Sequence, residues 1–382
     1  MSAVPPPDAL APVPVAGRLD RLRRRFGEVS GQTGPMGALV VTCPANIRWL
    51  TGFTGSAGVL GITGERALLT TDGRYRTQST EQVAASGAAD QVAVTVGGVA
   101  DQRAALAELV GSEPVVGLEA DSVTWAAQRS WDELLAASEV VPTRGLVEDL
   151  RVVKDDAEIL RMERAAAIAD EALAAVLPLL TAPGGTTEAG FAAALDHAMR
   201  QGGAEESAFE TIVASGENSA KPHARPGRRL IRPGDPVVVD FGATFDGYRS
   251  DMTRTFVVGG EPTGELARVF AVVAEAQRAG VAGVRPGVEA GSVDGICRKV
   301  VEEAGWAERF EHGTGHGVGL DIHEAPSVGP GSTAILHVGA VLTVEPGVYL
   351  PGTGGVRIED TLVVTDHGSR PLTQFPKEVA LR

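Results

Sequence analysis

Three stretches in the second half of this 382-residue chain combine carboxylates or imidazoles with a local pattern that could set them around a cation. The first is Val237 to Val258, where Asp246-Gly247 is a two-residue turn signal between alternating strands, so the segment reads as a hairpin. With those residues at the turn, Asp240 opposes Thr253 and Gly242 opposes Asp251. Asp240 and Asp251 then share one face as diagonal neighbours, roughly 7–8 Å apart at the backbone, a separation from which two carboxylates can converge on one cation. Buried together without a cation, they would repel strongly. A solvated acidic face is the alternative, and the apolar run ahead of Asp240 argues against it.

The second stretch is His312-Gly313-Thr314-Gly315-His316-Gly317-Val318-Gly319-Leu320-Asp321-Ile322-His323-Glu324, which holds three of the seven histidines. Its glycines allow close backbone approach and oppose a stable helix, so it is not the H-E-x-x-H helix of zinc proteases. A phosphate-cradling loop would want a following G-K-[ST], and none is present. A loop bearing one ligand and several proton-transfer groups fits better. The third stretch supplies Glu345, after an apolar strand and before Pro346-Gly347, and Glu359 in Val356-Arg357-Ile358-Glu359-Asp360-Thr361. Four carboxylates and one imidazole, namely Asp240, Asp251, Glu345, Glu359 and His316, are what two divalent cations need if two of the carboxylates bridge them. Oxygen-rich ligation with one nitrogen and no sulfur favours manganese-like, cobalt-like or zinc-like ions over a structural zinc site.

The elements that would position these groups form two α/β regions. Ala38 to Thr42, Gly58 to Ile62, Ala67 to Thr70, Val92 to Val96 and Val115 to Gly117 read as strands, and Ala100 to Val110 and Thr124 to Ala136 as helices. The pattern breaks into mixed charge from Glu148 to Asp155, and Ala157 to Leu180 then turns helical. The expected organisation is a flexible tail at 1–16, a first domain at 17–145, a linker at 146–155 and a second domain at 156–382. The second domain repeats itself weakly. Pro183-Gly184-Gly185 and Pro286-Gly287 each precede a helix, and Val237-Val238-Val239-Asp240 and Leu342-Thr343-Val344-Glu345 each follow a glycine, at a near-constant offset of roughly one hundred residues. Two pseudo-symmetric halves would bring Asp240 and Glu345 together, although short glycine-rich matches also arise by chance.

Bulk properties narrow the function. A formal net charge of -15 repels phosphate backbones and anionic lipid surfaces, so neither nucleic acid nor membrane is the expected partner. Only two cysteines occur, far apart at Cys43 and Cys297, which suggests no disulfide framework and fits a cytoplasmic location. The basic run Arg21 to Arg25 lies beside Leu19, Leu22 and Phe26 at helical spacing and reads as a solvated helix face.

Taken together, the motifs resemble the pita-bread metallopeptidases of the aminopeptidase P and prolidase type. The resemblance rests on Asp240 in V-V-V-D-F-G, Asp251 in S-D-M-T-R-T-F, His316 in H-G-T-G-H-G-V-G, Glu345 in T-V-E-P-G-V-Y and Glu359 in V-R-I-E-D-T, in the family's order. It covers residues 150–382 strongly, and it extends to a creatinase-like N-terminal domain through Asn46 to Gly55 and Thr71 to Tyr75. It implies a C-terminal pita-bread domain of two α/β halves, with Asp240 on one metal ion, His316 and Glu345 on the other, and Asp251 with Glu359 bridging. A metal-activated water would be the nucleophile and Glu345 its proton acceptor. His223, His312 and His323 would hold the substrate and stabilise the tetrahedral intermediate, and Arg357 would orient the ligands. His197, His337 and His367 have no such support.

The implied activity is removal of the first residue from short peptides with proline in second position, with a homodimer expected. The N-terminal domain would limit access, and Trp49 and Tyr75 are expected to be packed more than functional. The G-F-T-G-S-A-G stretch leans toward aminopeptidase P, with a dipeptide-only prolidase as the alternative. A non-catalytic peptide-binding member of the fold is a further alternative, though such proteins usually lose ligands and this chain keeps all five.

Overall fold

A computed structural model describes residues 10–377 and 380–381. They fall into two compact units, one running up to Arg151 and the other beginning at Val152. Most of the stretch expected to be a tail, residues 1–9, lies outside the described residues; Val15, near its end, is buried and donates from its N–H to the Ser86 carbonyl at 3.0 Å.

The first unit is built on a six-stranded sheet ordered Val92–Val96, Ala67–Thr71, Val59–Thr63, Ala38–Val41, Val115–Glu119, Glu139–Thr143. The five expected strands are present. The edge strand Glu139–Thr143 and the helices Pro44–Thr51 and Arg76–Ala85 were not legible, each for a physical reason. Pro44 reads as a breaker but sits in the first turn, where no N–H is required. The helix Arg76–Ala85 buries only Ser79 and Val83, too little for an apolar stripe. The basic run forms the helix Arg18–Arg24 with Leu19 and Leu22 buried; Arg18 and Arg21 lie over the ring of the buried Trp49, at 4.5 and 5.7 Å from its centroid. Tyr75 packs edge-on against Phe53 and bonds Ser56 through its hydroxyl at 2.7 Å.

The second unit opens with the helix Asp156–Val176, started by a reciprocal cap in which Asp155 accepts from the Glu158 N–H and Glu158 from the Asp155 N–H. Thr187 caps the helix Glu188–Gln201, which leads to the strands Ile212–Ser215, Pro236–Phe241 and Met252–Val258 of one sheet. The helices Gly264–Gly283 and Ala290–Glu303 precede a second sheet, ordered Glu324–Val328, Gly315–Gly317, Val341–Val344, Asp360–Thr365, Gly368–Pro371. Each half thus runs helix to strand, with Asp240 near the end of one strand and Glu345 just past the other. Val237 to Val239 and Val341 to Val344 carry almost no exposure. Val269, Val273, Val293 and Cys297 of the second pair of helices form one core with Leu342, Val344 and Leu362, each such side chain contributing about 1.5–3 kcal/mol of burial.

The hairpin has the register expected of its turn: Asp240 pairs with Thr253, Phe241 with Met252, Thr244 with Arg249 and Phe245 with Tyr248. Asp246 and Gly247 have φ of 43° and 69°, the sign pattern of a primed two-residue turn. Gly242 is required where the strand crosses Ser250, since a Cβ there would run into the Ser250 carbonyl oxygen. Arg161 holds the Asp246 carboxylate at 2.6 Å, and the Tyr248 hydroxyl donates to Glu158 at 3.0 Å, so the long helix fixes the hairpin tip.

Candidate active site

The hairpin face and the second sheet bring the separated motifs to one place. Glu359 docks on the hairpin by donating its N–H to the Thr253 carbonyl at 3.1 Å, and the Thr361 hydroxyl donates to the Asp251 carbonyl at 2.8 Å. Glu345 is anchored by its N–H to the Thr314 carbonyl at 2.7 Å, and the His316 N–H donates to the Thr343 hydroxyl at 3.1 Å. Gly315 permits this closeness, because a Cβ there would collide with the Thr343 carbonyl. As a result Asp240, Asp251 and Glu359 each offer an oxygen lying within 4.8 Å of the others. His316 Nε2 is 3.5 Å from Asp251 Oδ2 and 3.5 Å from Glu345 Oε1.

The electrostatics of this cluster favour additional positive charge. Burial, reinforced by Glu359, Asp240 and Glu345, holds the Asp251 carboxyl well above the usual range. Burial with Glu345 and Asp240 does the same to Glu359, and burial pushes Glu345 up to about 8 against the opposing pull of Arg357. His316 is driven down to about 4, chiefly by burial, so its ring is neutral near pH 7. Its Nδ1 lies 2.9 Å from the Gly317 carbonyl and therefore carries the proton, leaving the Nε2 lone pair facing two carboxylates. Asp240 Oδ1 and Glu359 Oε1 are buried with no hydrogen-bond partner among the described residues. Buried acceptors are rarely left unpaired. Orphaned carboxylate oxygens among Asp240, Asp251 and Glu359, with the His316 lone pair 3.5 Å from Asp251, fit hard or borderline divalent cations, which would satisfy them.

Arg357 is the cluster's own cation. Its guanidinium, 3% exposed, donates to Asp240 Oδ2 at 2.6 Å, the Thr253 hydroxyl at 3.0 Å, the Tyr349 hydroxyl at 2.8 Å and the Pro222 carbonyl at 3.1 Å. The Thr253 hydroxyl in turn donates to Glu359 Oε2 at 2.7 Å. Tyr349 extends the network to His312, whose Nδ1 donates to the Gly313 carbonyl and whose Nε2 accepts from the Tyr349 hydroxyl at 2.8 Å. Burial lowers His312 to about 4 and raises Tyr349 to about 12, so both stay neutral. Thr253 and Tyr349 were not singled out from sequence. Thr253 could have been, as the residue opposite Asp240, and Tyr349 as the last residue of the T-V-E-P-G-V-Y motif.

The cluster opens into a cavity of about 550 Å³, lined by Asp240, Asp251, Glu345, Glu359, His223, His312, His316, His323 and Arg357. All nine residues predicted for the site therefore face one space. Phe209, Ile212 and Ile322 add apolar wall, and Glu210 and Arg225 add charge. His323 is exposed, with its ring 4.4 Å from that of His316, and His223 is exposed on the opposite strand's loop. His197, His337 and His367 are exposed and do not line the cavity.

Comparison with known proteins gives concordant results. Residues 161–366 match the profile of metallopeptidase family M24, and residues 18–153 match the creatinase/prolidase N-terminal domain. An uncharacterized peptidase of Bacillus subtilis is 39% identical over 364 residues, covering 95% of this chain and 99% of that protein. A solved Xaa-Pro dipeptidase of Bacillus anthracis superimposes with a TM-score of 0.89 at 38% identity, covering 96% of this chain and 100% of that one. A solved X-Pro aminopeptidase of Thermotoga maritima gives 0.82 at 32% identity, with coverage of 95% and 99%.

Proposed function

This chain belongs to metallopeptidase family M24, and from that premise we propose that it is an Xaa-Pro aminopeptidase, releasing the residue ahead of proline from short peptides. The observation that carries the proposal is the convergence of Asp240, Asp251 and Glu359 within 4.8 Å, with His316 3.5 Å from Asp251 and from Glu345. In this reading Asp240, Asp251, His316, Glu345 and Glu359 would hold two divalent ions, with manganese the expected metal. Two such ions, when bound, polarise the scissile carbonyl and activate water at neutral pH.

The remaining chemistry falls to the chain's own side chains. Glu345, kept ionised when cations are bound beside it, would accept a proton from water and pass it to the leaving nitrogen. His323 and His223, exposed on the cavity wall, can donate to the substrate carbonyl, and His312 is kept neutral by burial and oriented by Tyr349. Arg357 holds Asp240 in place and offsets the negative charge. A peptide bond to proline has no N–H, so its recognition depends on the apolar surface of Phe209, Ile212 and Ile322. No helix among the described residues is long and apolar enough to cross a membrane. A cytoplasmic homodimer is the proposed physiological form.

One observation favours a dipeptidase instead. Arg225 is an exposed cation on the cavity wall, able to meet the free carboxylate of an Xaa-Pro dipeptide. Its guanidinium lies 3.4 Å from Glu210, an exposed pair that a substrate carboxylate could replace. A panel of Xaa-Pro dipeptides and Xaa-Pro-Yaa tripeptides with added manganese tests both. Release of the first residue from Gly-Pro-Ala is expected, cleavage of dipeptides alone would establish the dipeptidase, and inertness toward the whole panel would reject both.

A further inference from the structure

The mixed-charge stretch Glu148 to Asp155 contains a lysine held well inside the protein. The Lys154 side chain is 1% exposed, and its Nζ lies 2.5 Å from Oε1 of Glu324, itself 7% exposed. The same ammonium donates to the Val152 carbonyl at 3.2 Å. Its backbone is equally fixed: the Lys154 N–H donates to the Gly339 carbonyl at 2.9 Å and Val153 bridges to Ala340. A Cβ on Gly339 would press to 2.9 Å from the Lys154 carbonyl, and at a φ of +86° that position favours glycine on backbone grounds as well.

Glu324 stands at a junction. It directly follows His323 and opens the strand Glu324–Val328, whose register places Glu324 opposite Gly317 and Ser327 opposite His316, with an irregularity between His316 and Gly317. Its carboxylate lies over Gly319, where a Cβ would come within 2.5 Å of Oε1, and a Cβ on Gly317 would strike the Ala325 carbonyl. The glycine-rich loop therefore closes onto this strand without spare room. A buried ion pair is weak evidence for stability, because well-packed apolar replacements are often neutral, so its use here needs a geometric explanation.

We propose that Lys154 is a positioning residue for the reaction: by holding the Glu324 carboxylate inside the protein, it sets the start of the strand and so the direction in which His323 presents its imidazole to the cavity. The proposal rests on the reading of His323 as a substrate-holding group. Lys154 touches neither the substrate space nor the carboxylate cluster, so its effect on turnover runs through His323. Lys154→Met keeps the aliphatic stem and removes the cation beside Glu324.

The test uses full-length, manganese-loaded protein with Gly-Pro-Ala as substrate. Lys154→Met is expected to lower kcat about tenfold to hundredfold, the scale of a misplaced catalytic group, with bound metal per chain unchanged. Adding Glu324→Gln to it should recover most of the loss. In a His323→Ala background, Lys154→Met should cost less than about twofold more, because the group it positions is already gone. An undiminished kcat in Lys154→Met, or the same full loss in the His323→Ala background, overturns the proposal. Should Lys154→Met not fold, Glu324→Gln alone carries the same comparison. A crystal structure of the variant supplies an arm independent of activity: the 4.4 Å separation of the His316 and His323 rings should be lost, and its retention refutes the inference even if the substrate assignment were wrong.

Discussion

Removing the metals should invert the ordinary dependence of stability on pH, and the structure gives the size of the effect. Glu345 has its carboxyl raised from 4.5 to about 8 in the folded chain. Between these values the folded protein binds a proton that the unfolded chain has released, so its contribution is complete below the unfolded value and is lost as pH rises through the folded one. His312 and His316 act oppositely: lowered to about 4, they withdraw stability as pH falls below about 6.5. Asp170, held near 6, has nearly finished titrating by then. From pH 6.5 to 8 Glu345 should cost the metal-free protein about 1–2 kcal/mol, partly offset by the two histidines, whose unfolded rings are still half protonated at pH 6.5. Asp251 and Glu359, also raised, add to it with the same sign. Bound cations keep these carboxylates ionised, so the metal-loaded protein should lose this slope. Urea denaturation of chelator-treated and manganese-loaded samples across the window measures both curves. Metal-free stability that stays level or climbs from pH 6.5 to 8 would refute the claim that these acids are buried together without compensation.

Three further outcomes follow from individual contacts. Asp251→Ala should abolish peptide hydrolysis and reduce bound metal below that of the parent protein, read by elemental analysis, since it takes one oxygen from the group lying within 4.8 Å. Arg357→Met should destabilise the metal-free protein by about 3–5 kcal/mol in urea melts, because it strands the Asp240 carboxylate beside three other acids; a loss under about 1 kcal/mol would contradict the assigned network. Gly242→Ala should lower the melting temperature by an amount equivalent to about 1–3 kcal/mol, because the added methyl meets backbone at Ser250, and an unchanged melt would show that the hairpin can shift there without cost.

Much of the site was legible because it is written in local chemistry. The Asp246-Gly247 turn and the two-residue period of a strand set the hairpin register, and that register alone put Asp240 and Asp251 on one face. The interleaved glycines of residues 313–319 marked a segment made for close approach, which the collisions awaiting a Cβ at Gly315 and Gly317 bear out, although His316 stands on the short strand Gly315–Gly317 and not on the expected loop. The internal repeat likewise anticipated two halves that each end in an acid. What stayed hidden was whatever lacks a local signature, such as the poorly amphipathic helix Arg76–Ala85 and the edge strand Glu139–Thr143.

The sequence by itself determined which side chains could meet and on which side of each strand they would stand, because turn type and periodicity act over a few residues. Tertiary structure decided their chemical state. Only packing leaves Asp240 Oδ1 and Glu359 Oε1 without partners, turns the His316 lone pair toward the acids, carries Arg357 across to Asp240 and seats Lys154 against Glu324. These depend on desolvation and on contacts between residues far apart in the chain, more than a hundred positions for Arg357 with Asp240 and for Lys154 with Glu324, and no local pattern encodes the dielectric that such burial creates.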